Sequence, residues 1–384
     1  MNFIIGIDAS RNRSGGAKAH LIGILSENNP ASFGIQEIHL WSYKSLLDQI
    51  PEYPWLIKHN PKALEGSLIK QAWWQYCELP KEAKNAGCHI MLNTDAGTIG
   101  GFKPSVTMSR DMLSYEKGEM ERYGWSIARL RLLALKYIQA QSLKNADGTI
   151  FLTRYAADVI QKFTGPLKKT CIIPHGVGSA FSQKSSEGNW HHKNPGDEII
   201  CLYVSNAAMY KHQWHVVSAI GQLRMRGNKI SLVLAGGGSG RAQKRLDDEI
   251  RRTDPQGDFI KQIGSVKHEE IPGLLRKADL FIFASSCENM PNTLVEAMAS
   301  GLPIACSDRG PMPEVLTDAG IYFDPENANS IANAVEEIIR DVSKRTTIAQ
   351  KAKKISEQYS WERCARQTWE FITQIATRTS KENI

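Results

Sequence analysis

No stretch of this chain approaches the roughly 18 to 20 uninterrupted apolar residues that span a bilayer, so the sequence offers no transmembrane helix. The opening MNFIIGIDASRNRSGG has an apolar run too short for a secretion signal and no basic region ahead of it; it reads as a first strand. The seven cysteines are scattered, with no C-x-x-C pair and no metal-ligand spacing, which points to reduced thiols, a cytoplasmic protein and no bound metal. Zinc motifs, long basic runs and interleaved aromatic and basic residues are all missing, so nucleic acid is not the expected partner. Short-period repeats and low-complexity tracts are absent too.

What is present is a chain of 384 residues, too long for one ordinary core and suited to two domains. Its formal charge of +7 is uneven: residues 1–180 hold 21 Lys and Arg against 15 Asp and Glu, the remainder 26 against 25. An anionic membrane surface or an anionic lipid-linked acceptor would account for that bias. Strand-like and helix-like patterns alternate throughout, which argues an α/β fold with parallel sheets. Strands are expected at Phe3–Asp8, Ile35–Trp41, Ile90–Asn93, Val106–Met108, Gly148–Leu152 and Thr170–Pro174 in the first half. The second half adds Ile199–Val204, Ile230–Ala235, Phe259–Ile263, Leu280–Ala284, Ile304–Ser307 and Gly320–Phe323. The polar, turn-rich stretch 182–198 reads as a linker. The expected domains are therefore 1–181 and 199–359, followed by a terminal helix in 360–384 with Ser360 as its cap.

The most informative segment is FIFASSCENMPNTLVEAMASGLP, Phe281 to Pro303. It predicts a buried strand, a short polar loop and a helix with Asn289 as cap and Pro291 in its first turn. Glu288 falls at the mouth of the strand and Glu296 eight residues later. The free N–H groups expected at Asn292 and Thr293, with the positive end of the helix dipole, suit a phosphate. Two carboxylates flanking an anion site suit hydroxyl-rich groups on either side of it: a sugar, a diphosphate and a ribose.

Strand, E-x7-E, LVEAMASGLPI and the later GPMPEVL together resemble the donor-site signature of retaining glycosyltransferases of the B-type fold, family 4 (glycosyltransferase group 1). The order of landmarks extends the resemblance over most of the chain. It implies two Rossmann-like domains facing each other across a cleft, the first binding acceptor and the second donor, with the terminal helix packed back on the first. It further implies transfer of a hexosyl group from a nucleotide-diphosphate sugar to a hydroxyl of a glycan or lipid-linked acceptor, as in polysaccharide or lipopolysaccharide biosynthesis. Retention of configuration and independence of metals and cofactors belong to the same implication. The other readings are a non-catalytic sugar-nucleotide-binding subunit and a B-fold epimerase.

Carried residue by residue, the resemblance gives Glu288 the donor sugar's hydroxyls and Glu296 the ribose diol. Asn289, Met290, Asn292 and Thr293 line the donor, and Gly264 and Val266 lie beside the base. Lys211, near a helix start, matches the lysine on the donor phosphates, although Ser205-Asn206 stands where the family has Gly-Arg and His212 where it has a second glycine. Asn206 thus removes one of two expected cations. Gly15 and Gly16, after Ser14, match the glycine loop that lines the cleft. Arg110-Asp111 replaces the family's His-Asp; Arg110 cannot act as a base, and either binds acceptor or diphosphate or forms a buried ion pair with Asp111. His175-Gly176-Val177 matches a hinge turn.

Two further features remain open on the residues alone. LVLAGGGSGR lacks the third glycine of a dinucleotide loop, so Gly236 to Gly238 either approach the nucleotide or make a tight turn. The basic amphipathic segment with Arg122, Arg129, Arg131 and Lys136 beside Trp125, Ile127, Leu130, Leu133 and Tyr137 reads as core packing ahead of membrane contact.

Overall fold

The computed structural model describes residues 2–13, 15–182 and 197–382. The chain divides into two compact units: Met1–Gly176 with Ser360–Ile384, and Val177–Tyr359. It passes between them at 176/177 and again at 359/360. Most of the linker expected at 182–198 lies outside the described residues. Ahead of it, Phe181 is buried within the second unit.

The first unit is built on a seven-stranded parallel sheet of β1 (Phe3–Asp8), β2 (Ile35–Trp41), β3 (Leu56–His59), β4 (Ile90–Asn93), β5 (Ser105–Met108), β6 (Gly148–Phe151) and β7 (Thr170–Ile172). Their order across the sheet is β3-β2-β1-β4-β5-β6-β7. The second unit repeats the plan with β8 (Ile199–Val204), β9 (Ile230–Ala235), β10 (Ile260–Gln262), β11 (Leu280–Phe283), β12 (Ile304–Ser307) and β13 (Ile321–Phe323), ordered β10-β9-β8-β11-β12-β13. In both units the strand order reverses beside the first strand, between β1 and β4 and between β8 and β11. Two loops diverge from such a point, and the crevice outside the carboxyl ends of those strands is where open α/β sheets bind ligands.

The strands form where they do because helices cover both faces of a parallel sheet, so each strand is a continuous apolar run. Leu280, Phe281, Ile282 and Phe283 are all buried. Each such side chain contributes about 1.5–3 kcal/mol relative to exposure. β3 was not expected: LIKH is short, half polar and flanked by Pro54 and Pro61, as suits an edge strand.

The terminal helix Trp361–Glu382, begun by the Ser360 hydroxyl accepting from the Arg363 N–H, packs on the Gly15–Ser26 helix of the first unit. Its Trp361 lies so close to Gly23 that a Cβ there would strike the indole. Asn28 also donates to the Glu362 carbonyl at 2.9 Å.

One element reverses its expected packing. The helix Ile127–Asn145 buries only Gln139, Ala140 and Leu143. Trp125 just before it is 99% exposed and Ile127 86%, with Leu130 and Tyr137 also exposed. Core packing does not explain this stripe. The apolar face is the one turned away from the sheet, and the periodicity of a sequence does not reveal which way a stripe faces.

Candidate functional site

The loops leaving β8 and β11 meet at the switch point of the second unit. After Val204 the chain runs through Asn206, which is exposed, to a short turn Met209–Lys211 and then the helix Gln213–Met225. His212 begins that helix with φ 49°, the left-handed region, where it replaces the family's glycine. The imidazole is wholly buried and pairs with the Ser286 hydroxyl at 2.9 Å. The Ser286 N–H donates to the Tyr210 carbonyl at 2.8 Å, and the Tyr203 hydroxyl to the Lys211 carbonyl at 2.7 Å. The two Ser286 bonds fasten the 205–212 loop to the 284–291 loop, and the Tyr203 bond ties the first of these loops to β8. They bring Lys211 and Glu288, 77 residues apart in sequence, into a mostly buried ion pair. The Lys211 ammonium also lies 5.1 Å from the centre of the Tyr210 ring.

The helix after this loop starts two residues later than expected. Its range is Asn292–Ala299, with Pro291 in the capping position and no side chain capping it. Asn289 therefore is not the cap; it is buried in the preceding loop, beside the buried Met290. The Asn292 N–H is already taken, donating to the Met290 carbonyl at 3.0 Å. The Thr293 N–H has no acceptor among the described residues and is left as a free donor at this end of the helix.

Glu296 sits on the buried face of the same helix, 7% exposed. Its Oε1 pairs with His268 Nε2 at 2.8 Å, while its Oε2 is buried with no partner among the described residues. Burial pushes the Glu296 carboxyl above its ordinary range, and the His268 bond draws it part of the way back. That bond in turn raises His268, against the opposing effect of burial. An orphaned buried carboxylate oxygen costs about 1–3 kcal/mol or more, which a hydroxyl-bearing ligand would relieve. His268 also lies against the Phe181 ring, centres 5.3 Å apart.

Gly264 has φ 71° and bridges to Gly236 across the β9 and β10 loops, with Val266 half-buried just beyond. A Cβ at Gly236 would collide with the Ser205 carbonyl, and one at Gly238 with Ala207. These glycines thus serve the close packing of two protein loops.

In the first unit the switch point carries a buried polar cluster. Asn12 follows β1, Thr94 follows β4 and Arg110 follows β5. Arg110 donates from Nη1 to Asn12 Oδ1 and to the Thr94 carbonyl, both at 3.2 Å. Thr94 donates to Asn12 Oδ1 at 2.9 Å, and the Tyr43 hydroxyl to the Asn12 carbonyl at 2.5 Å. Burial pushes the Arg110 guanidinium down to about 10, with Asp95 opposing, so it stays charged at neutral pH. The ion pair considered for Arg110 and Asp111 does not form. Asp111 instead accepts from the Leu113 N–H at 3.0 Å and from Gln139 at 3.3 Å, and burial raises its carboxyl. Gly15 opens the first helix with nothing within 4 Å of where a Cβ would stand, and Gly16 follows in its first turn. Ser14 lies outside the described residues.

The family model described as "Glycosyl transferases group 1" matches residues 186–355. This segment is similar to the group 1 glycosyl transferases. A relative named O-antigen chain mannosyltransferase B, from Escherichia coli, is 33% identical over 29% of this chain and 29% of its own. An uncharacterised glycosyltransferase from Methanocaldococcus jannaschii is 30% identical over 45% of this chain and 44% of its own. The chain thus spans less than half the length of these curated relatives. Among solved structures, sucrose-phosphate synthase from Thermosynechococcus elongatus superimposes with a TM-score of 0.78 at 18% identity, covering 98% of this chain and 100% of that one. HepE from Anabaena, solved with UDP, gives 0.73 at 19%, covering 97% and 100%. The two-sheet architecture is the glycosyltransferase B-type fold.

Within the matched segment, Lys211 with Glu288 and the Thr293 N–H with Glu296 stand on the two loops and the helix at the switch point. Asn206 stands on the first of those loops, and Gly264 on the loop after β10. His268 is a site residue that sequence reasoning missed. It lies 28 positions from Glu296, and only the crossover from β10 to β11 brings the two together. The HEE that follows Lys267 was a helix-start signal, with nothing in it to indicate a pair with Glu296.

Proposed function

We propose that this protein transfers a hexosyl group from a nucleotide-diphosphate sugar to a hydroxyl of a glycan or lipid-linked acceptor, with retention of configuration. The observation that carries the reading is the buried Lys211–Glu288 pair at the switch point, on the loop that leads to the free Thr293 N–H and to Glu296, whose one oxygen is unsatisfied. The pair holds both side chains in place until a donor enters. Its diphosphate then takes the Lys211 ammonium and the Thr293 N–H, its sugar hydroxyls take Glu288, and its ribose diol takes Glu296.

In the reaction the bond from the anomeric carbon to the diphosphate oxygen breaks as the acceptor oxygen bonds to that carbon. The leaving phosphate accepts the acceptor's proton. Lys211 stabilises the charge that grows on the diphosphate, and a fixed cation in a water-poor site does this without reorganisation. No resident metal or cofactor is invoked. Arg110 and Asp111 bind acceptor, with Gly15 and Gly16 at its approach. UDP is the first nucleotide to test, because the similar HepE structure was solved with it. The positive excess of residues 1–180 draws the protein toward an anionic membrane at the cytoplasmic face, or toward an anionic acceptor.

The loss of the family's arginine at Asn206 favours one other reading, a sugar-nucleotide-binding subunit without catalysis. A thermal-shift panel of UDP-, GDP- and ADP-sugars separates both from an unrelated function. A ligand at 100 times its Kd adds about 2.7 kcal/mol, or roughly 5–10 °C for a domain of this size. Silence across the panel would remove both readings.

A further inference from the structure

We propose that the outer face of the Ile127–Asn145 helix, with the neighbouring segment around Trp73, docks on an anionic lipid bilayer. This deepens the membrane clause of the functional reading and rests on it only for its purpose; the surface itself is argued from exposure and charge. Of thirteen large hydrophobic side chains that are exposed among the described residues, nine belong to these two segments. Only Met225 and Val342 belong to the second unit.

Position along the helix decides the geometry. Ile127, Leu130, Tyr137 and Ile138 recur at helical spacing on one side, and Gln139, Ala140 and Leu143 are the buried residues on the other. An apolar stripe turned outward over about 16 Å is the form of a helix that lies in a membrane interface. Trp125 stands at its start, almost wholly exposed, where an indole prefers the headgroup layer. The second segment repeats the composition with Leu68, Ile69, Trp73 and Tyr76, all exposed. Tyr76 and Tyr137 both line a groove of about 670 Å³ shared by the two segments.

Charge selects the occupant. The Ile127–Asn145 helix carries Arg129, Arg131, Lys136 and Lys144 and not one carboxylate. Arg129 is 4.0 Å from Glu121, whereas Arg131 has no acidic partner among the described residues. A second copy of the chain would bring the same four cations against these. A sheet of anionic headgroups complements them, at about 1 kcal/mol, or fivefold in affinity, for each cation near the surface. Aliphatic and aromatic side chains then enter the acyl boundary.

The test is co-sedimentation of the full chain with vesicles of phosphatidylcholine and phosphatidylglycerol at three to one, against phosphatidylcholine alone. Binding to the anionic vesicles is expected, with substantial release between 0.1 M and 1 M salt as the Debye length falls from about 10 Å to 3 Å. Trp125→Ser with Ile127→Ser and Leu130→Ser should reduce the partition at least tenfold. Arg129→Gln with Arg131→Gln and Lys144→Gln should reduce it about a hundredfold; Lys136 is left in place because its ammonium lies 4.3 Å from the centre of the Phe163 ring. Both triple variants should keep the wild-type melting temperature and nucleotide response, since the altered residues are largely outside the core. Equal capture by neutral and anionic vesicles, or no capture at low salt, overturns the proposal. Capture that neither triple variant weakens also overturns it. Self-association in light scattering that the variants abolish would assign the face to a second copy instead. A chain that binds vesicles without responding to any nucleotide sugar leaves this surface standing and removes the functional reading alone.

Discussion

Removing the Glu296 carboxylate should weaken donor binding while leaving the empty protein as stable as before, a combination that a structural role would not produce. Glu296 Oε1 is held by a partly exposed His268, and Oε2 has no partner among the described residues. The His268 pair, open to solvent on one side, contributes little to folding. The orphaned oxygen costs about 1–3 kcal/mol. Glu296→Ala therefore trades a small loss for a comparable gain, and the melting temperature should stay within a few degrees of wild type or rise. A ribose diol donating to this carboxylate makes charge-assisted hydrogen bonds of about 1.5–3 kcal/mol each. With two hydroxyls and some loss to solvent competition, the net is about 2–4 kcal/mol, or roughly 30- to 900-fold in Kd. Titration calorimetry with the nucleoside diphosphate reads the affinity, and scanning calorimetry of the empty protein reads the stability. An affinity within threefold of wild type would refute the assignment. So would a fall in melting temperature large enough to account for the lost affinity, because Glu296 would then be a structural residue.

Other expectations follow from the same geometry. Lys211→Ala should lower turnover about 10²- to 10³-fold at saturating donor; single-turnover kinetics showing a near-wild-type rate would pass the role to another cation. His268→Gln should change stability in a pH-dependent way. His268 is raised above its unfolded value, so its contribution is complete below about pH 6.5 and fades as pH rises through the folded value. The gap between variant and wild type in melting temperature should accordingly close toward high pH, and a gap that widens there contradicts the pairing. Phe281→Ala, in the middle of fully buried β11, should cost about 3–5 kcal/mol in urea unfolding.

Much of this could be read from residues alone because parallel strands buried on both faces are unbroken apolar runs. FIIGID, IICLYV, ISLVLA and LFIF each fall on a strand at or within a residue of the expected place. What escaped reading depends on distance in sequence or on direction. LIKH is too short and too polar to stand out between prolines. Lys211 and Glu288 were each singled out, but their pairing across 77 residues depends on strands β8 and β11 lying side by side. The Asn289 cap failed for a local reason: Pro291 takes the capping position, and the loop tucks Asn289 inward. The Ile127–Asn145 helix was recognised as amphipathic, yet periodicity is the same whether the stripe faces the core or water.

The central claim is transfer from a nucleotide sugar, and it is tested most directly by following nucleoside diphosphate release from UDP-, GDP- and ADP-hexoses by wild type and Lys211→Ala. Water can stand in for the acceptor, so slow release from at least one donor is expected, faster with a glycan acceptor and depressed about 10²- to 10³-fold in the variant. Donor binding with no release under any condition, or release that Lys211→Ala leaves unchanged, would contradict the account.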